Sequence, residues 1–216
     1  MDYAARYREA IEVFCPPITL RDGTPAEEIS KGESQLGLSL PEALRAYYLT
    51  LGRHPLNQAH NRLLSPEEWF LHEGRLVFME ENQVVLYWAF AIGEAGADPM
   101  VYQGINLGDK AIDWHSEEAR CADFMLVMMH WQAVCGGLEA MGMAHITPAN
   151  LDSIRARWSL AGSLDGGMLA FTQRGDVACV IGQGDDLEIF AASRTEDGYE
   201  RLDRRMTRLG IVLNQI

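Results

Sequence analysis

Six histidines, four cysteines and several adjacent carboxylates are the residues with which this 216-residue chain could do chemistry. His54, His60 and His72 fall within one stretch and would supply imidazole ligands to a metal. Zinc-type sites, however, use H-E-x-x-H or C-x-x-C spacing, and neither occurs in the chain. Cys121, His130 and Cys135 share one expected helix, but their separations do not bring all three to one face. No metal and no cofactor are therefore expected. Gly32-Glu33-Ser34-Gln35-Leu36 resembles a nucleophile elbow but lacks the second glycine and the strand that must precede it. Gly182-Gln183-Gly184 has no lysine after it and is not a phosphate loop. The acid pairs Glu80-Glu81 and Asp185-Asp186 fall in expected exposed turns, where burial cannot lift a carboxyl pKa for proton transfer. The expectation is a protein without enzymatic activity.

The same acids suit a different task. The formal net charge is -13, which disfavours binding to nucleic acid or an anionic membrane and favours a basic protein partner. Two stretches concentrate the acidity. One, within residues 81–120, holds Glu81, Glu94, Asp98, Asp109, Asp113, Glu117 and Glu118 against Lys110 and Arg120. The other, within residues 161–200, includes Asp185, Asp186 and Glu188. If the two hairpins that carry them share a sheet, Glu80, Glu81, Asp185, Asp186 and Glu188 form one acidic partner-binding patch. Otherwise they are separate solvated loops.

The elements that must position these residues read from periodicity. Tyr3, Tyr7, Ile11 and Phe14 repeat at helical spacing over residues 2–14, and Pro16 with Pro17 stops that helix. Residues 26–36 form a second helix closed by Gly37, and 40–52 a third with the stripe Leu44, Tyr47, Tyr48 and Leu51. Ser65-Pro66-Glu67-Glu68 reads as a capping box that opens a short helix carrying Trp69 and Phe70. Residues 75–92 form the central hairpin: apolar arms flank Glu80-Glu81-Asn82-Gln83, and the second arm is apolar on both faces.

Short strands follow at 100–105 and 111–114, and Ser116 opens a long helix with Phe124, Val127, Met128, Trp131, Val134 and Cys135 inward. Thr147-Pro148 caps another helix with Leu151, Ile154 and Trp158 inward. Strands at 168–173, 177–181 and 187–192 precede a final helix at 196–209, acidic at its start and closed by Arg204, Arg205 and Arg208, which complements the macrodipole. The sum is one α+β domain over residues 1–216, a largely antiparallel mixed sheet flanked by helices, with a conceivable boundary at 162–167. Cys15, Cys121, Cys135 and Cys179 read as buried free thiols. With no signal pattern at the N-terminus and no span-length apolar run, a cytoplasmic protein is expected.

Two stretches carry a family likeness. Leu40-Pro41-x-x-Leu44-Arg45-x-Tyr47-Tyr48-x-x-x-Gly52 comes first. Phe78-Met79-Glu80-Glu81-Asn82-Gln83-x-Val85-x-x-Trp88 follows, with Asp98-Pro99-x-Val101 after it. In this order and spacing they resemble the SUKH superfamily, which unites fungal cell-wall-assembly regulators with bacterial immunity proteins. The likeness covers roughly residues 26–115 and reaches the C-terminal part, 163–216, in outline. It implies an α+β fold, no catalytic residues, and a role as an immunity protein that neutralises a cognate toxin, often a basic nuclease. The alternative it implies is a regulatory or scaffold module with an endogenous protein partner.

Overall fold

A computed structural model describes residues 1–94, 96–108, 111–165 and 167–216; Asp109 and Lys110 of the first acidic stretch lie outside the described residues. Helices α1 (Tyr3–Glu12), α2 (Ala26–Leu36) and α3 (Glu42–Leu51) come first. Strands β1 (Arg62–Leu63), β2 (Phe70–His72), β3 (Arg75–Glu80), β4 (Leu86–Ala91), β5 (Met100–Gly108) and β6 (Ala111–Arg120) follow. After α4 (Cys121–Gln132) and a π-type turn come β7 (Ala140–Ile146), α5 (Pro148–Arg155), β8 (Ser159–Leu164), β9 (Met168–Gln173), β10 (Asp176–Gln183) and β11 (Asp186–Ser193). Helix α6 (Glu196–Thr207) and β12 (Asn214–Gln215) close the chain.

The α+β class and the antiparallel pairing are as the sequence reading has them, but the strands make two sheets where one was expected. The first runs β1-β3-β4-β5-β6 with β2 also on β3; the second runs β12-β7-β11-β10-β9-β8. Contacts divide the chain accordingly into two compact units, Met1–Arg8 with Ile18–Met125, and Glu9–Pro17 with Leu126–Ile216. The division falls inside α1 and inside α4. Of the boundary considered from sequence, 162–167, residues 162–164 belong instead to β8, in which Leu164 pairs with Met168 of β9.

In the first unit the central hairpin forms as read. Leu76, Phe78, Trp88 and Phe90 turn to the buried face, where Phe78 and Trp88 both lie against Phe124 at centroid distances near 6 Å (6.1 and 6.0 Å). Tyr47 and Tyr48 of α3 are buried and satisfied: Tyr47 Oη donates to Asn57 Oδ1 and Tyr48 Oη to the Leu64 carbonyl, at 2.8 and 2.6 Å. Half of the capping box at Ser65 forms, its amide and hydroxyl both donating to Glu68 Oε2 while the Glu68 amide donates to the Ser65 carbonyl; the segment is a single turn and Phe70 starts β2. Strand β6 likewise runs on to Arg120, so α4 opens at Cys121 and not at Ser116. Ser34 sits within α2 with its hydroxyl tied to the Ser30 carbonyl, far from any elbow geometry.

In the second unit α5 and α6 cover one face of the sheet around Ile154, Phe171, Ile189, Leu202 and Met206. The close approach of α6 depends on Gly142 of β7, where an added Cβ would come within 2.0 Å of Tyr199 Oη. On the other face, Trp131 meets Phe190 at 5.2 Å, and His130 is fully enclosed beside Phe14. Burial pushes the Cys15 thiol up to about 11 and that of Cys135 to about 12.

Candidate functional site

Strand alternation sends side chains of the first sheet to two faces, and cross-strand partners share a face. The register places Tyr87 opposite Gly104 and Gly104 opposite Trp114. One row along, Val77, Ala89 and Tyr102 align, and Phe70 pairs with Val77. Arg75, two residues before Val77, pairs with His72. These residues therefore line the face opposite the Phe78–Trp88 core. Val77 and Ala89 are wholly covered there, while Phe70, His72, Arg75, Tyr87, Tyr102 and Trp114 remain half-buried.

The side chains on this face hold one another. The Arg75 guanidinium lies over two rings, 4.9 Å from the Tyr102 centroid and 5.4 Å from that of Trp114. Trp114 Nε1–H donates to His72 Nδ1 at 3.2 Å. Phe70 meets Tyr87 edge-on at 5.6 Å. Burial and the Glu80 carboxylate push the Tyr87 phenol up. Where β3 turns into β4, Val84, Val85, Ile105 and Leu107 stay exposed as an apolar tip. The chemistry such a face offers is recognition: ring surface, an aromatic-held cation and a few directed hydrogen-bond groups. Partly buried Trp, Tyr and Arg side chains are the types that anchor protein interfaces.

The acids singled out from sequence fare differently from one another. Glu80 ends β3 on this same face, but Arg62 holds it through Nε–H at 2.8 Å and Nη2 at 2.6 Å while also pairing with Glu68. Burial raises the Glu68 carboxyl, yet the hydrogen bonds from Ser65 and Arg62 outweigh it and leave the group below its usual range. Glu81 spends one oxygen on the Gln83 amide inside the turn. The turn is thus tied by Glu81, by backbone and by Asn106 Nδ2 on the Val84 carbonyl, while Asn82 Nδ2 lies 3.4 Å from His60 Nδ1 and Gln83 is exposed. Asp185 and Asp186 are exposed in the β10–β11 turn, and Glu188 lies 3.5 Å from His145 across strands. The shared sheet that would have joined the two hairpins is absent: β3–β4 belongs to the first sheet and β10–β11 to the second.

Sequence reasoning missed Phe70, His72, Arg75, Tyr102 and Trp114 as a group. Their common face follows from register, and the one available signal was period-2 alternation through Tyr102, Gly104 and Ile112, Trp114. Among the described residues no group of three His, Cys, Asp or Glu side chains is placed to hold a metal, and no helix is long and apolar enough to cross a membrane. Compared with family models, with curated proteins and with solved structures, the chain gives no match.

Proposed function

We propose that the chain is a protein-binding protein of the immunity type, which neutralises a basic toxin domain, a nuclease for instance, by occluding it. The observation that carries this reading is the half-buried aromatic face of the first sheet, where Tyr87, Tyr102 and Trp114 surround a ring-held Arg75. Anchors of this kind supply contact energy. The net charge of -13 supplies long-range attraction to a basic partner and a faster encounter. The likeness of residues 26–115 to the SUKH superfamily supports the same reading. In it, Glu81 beside the apolar tip and Asp185 with Asp186 act as steering charges, while Glu80 is held by Arg62 and Glu188 lies opposite His145.

The test is binding and inhibition of a toxin encoded beside this chain, followed by surface plasmon resonance. Trp114→Ala is expected to raise the dissociation rate at least tenfold, with association little changed. Asp185→Lys with Asp186→Lys is expected to slow association and flatten its salt dependence. Unaltered dissociation from the Trp114→Ala variant would remove the aromatic face from the interface.

A further inference from the structure

The second unit carries a concentration of positive charge that the function above does not use. A cavity of about 400 Å³ is lined by Arg174, Arg194, Arg201 and Arg205. A neighbouring one of about 330 Å³ shares Arg174 and Arg205 and adds Arg157 and Arg208. Six arginines thus line the two cavities from four places: just past α5, where Arg157 also donates to the Ser153 carbonyl, the β9–β10 turn, the segment after β11 and one side of α6. On α6 the positions are i, i+4 and i+7, so Arg201, Arg205 and Arg208 form one stripe. Such like-charge neighbours oppose each other unless an anion lies between them.

The counter-charge present is small. Among the described residues lining the two cavities Asp176 alone is acidic; it is nearly buried and paired with Arg205. Glu200 pairs with Arg204 off the stripe, and Asp197, one turn before Arg201, lines neither cavity. No carboxylate among the described residues comes within ion-pairing distance of Arg174, Arg194, Arg201 or Arg208. Arg205 Nε is buried without a hydrogen-bond acceptor. Burial and the charge of Arg174 both push the Arg205 guanidinium down. Arg174 itself holds φ at 54°, a left-handed conformation better suited to Asn or Gly, at the first turn position before Gly175.

We propose that this arginine groove, between α6 and the β9–β10 turn, binds a small phosphate-bearing ligand. Guanidinium groups that converge from several directions match the oxygens of a tetrahedral, multiply charged anion better than a single planar carboxylate. Each cavity has a volume in the range of small-molecule sites. Trp158 and Leu209 line the second, which gives an ester's organic part an apolar wall beside the phosphate. Duplex DNA is disfavoured by the overall charge of -13.

The experiment is isothermal titration of the full chain with inorganic phosphate, pyrophosphate and a nucleoside diphosphate, with an Asp/Glu-rich peptide and a DNA duplex in parallel. Pyrophosphate or the nucleoside diphosphate is expected to bind at submillimolar concentration; tighter binding by the nucleotide identifies an ester, equal binding the bare anion. Arg174→Asn suits the left-handed turn and spares the fold, and it is expected to weaken binding at least tenfold, as is Arg201→Gln. Arg204→Gln, off the groove, is expected to leave it unchanged. No heat with any phosphate compound, unaltered affinity in Arg174→Asn, or tighter binding of the peptide or the duplex would each overturn the assignment.

Discussion

The indole of Trp114 and the Ile112 side chain share the space above Gly104, the cross-strand partner of Trp114: a Cβ at that glycine would meet Ile112 Cγ2 at 2.4 Å and the indole Cζ3 and Cε3 at 2.7 and 2.8 Å. The absence of a side chain on β5 thus lets a ring from β6 lie down on the sheet and reach His72 and Arg75. Gly104→Ala is expected to displace both Ile112 and the indole from this seat at a cost of about 1–3 kcal/mol, the usual penalty for overpacking. The shift is readable as a change in tryptophan fluorescence together with a lower urea midpoint. A variant with wild-type emission and stability would show that the ring does not depend on the glycine.

Val84 holds φ at 60° in the β3–β4 turn, a left-handed conformation that a β-branched residue adopts at a cost of roughly 1–2 kcal/mol. Its amide donates to the Glu81 carbonyl at 2.8 Å and its carbonyl accepts from Asn106 Nδ2 at 2.9 Å, so the surroundings hold it there. Val84→Gly removes the steric cost but gains unfolded-state freedom worth about 0.5–1 kcal/mol. The expected net effect is stabilisation by up to about 1 kcal/mol, seen as a higher denaturant midpoint at unchanged slope. Destabilisation would mean that the exposed valine side chain contributes more than its backbone costs.

How much of this was legible beforehand depends on the range of the interaction. Helix α2 with its Gly37 stop, the Thr147 cap and the final three-strand run are set by neighbours in sequence, and all were readable. Strand β7 was not, because its inward residues Ala140, Gly142 and Ala144 are small, Gly142 leaving the space that Tyr199 fills, and smallness leaves no hydrophobic period. Ser116 and Ser65 both carried start signals, but a cap is a local preference worth about 1 kcal/mol: sheet pairing overrode it at Ser116, and at Ser65 the turn forms but the chain leaves it for β2 at Phe70. The sites were the least visible. Arg205 and Arg208 read, with Arg204, as complements to a helix dipole, and Arg157, Arg174, Arg194 and Arg201 join those two only once the second sheet forms.

Arg62 bridges Glu68 and Glu80, and the Glu80 side chain is only 14% exposed. Arg62→Met leaves that carboxylate without its partner and is expected to cost about 1–3 kcal/mol, the penalty of a poorly solvated, unpaired acceptor. Adding Glu80→Met removes the orphaned charge, and the double variant is expected to recover most of the loss. Urea unfolding of the two single variants and the double closes this cycle. Additive losses would mean that the pair is solvated and contributes little.

His130 is 1% exposed in the second unit, with Nδ1–H donating to the Leu126 carbonyl at 2.7 Å and Nε2 enclosed without a partner. Burial, opposed in part by that hydrogen bond, pushes its pKa down to about 4. In the unfolded chain it titrates near 6.5, so between those values the unfolded state binds more protons. The contribution of neutral His130 is therefore complete above about pH 6.5 and is lost as the pH falls toward 4, by about 3 kcal/mol in all. His130→Asn keeps a donor near the Leu126 carbonyl and removes the titration. Urea unfolding of both proteins from pH 7 to 4.5 is expected to show a steeper decline for the wild type, the two curves converging as the pH falls. Parallel curves across that window would show that the imidazole takes up its proton in the folded state as readily as in the unfolded one.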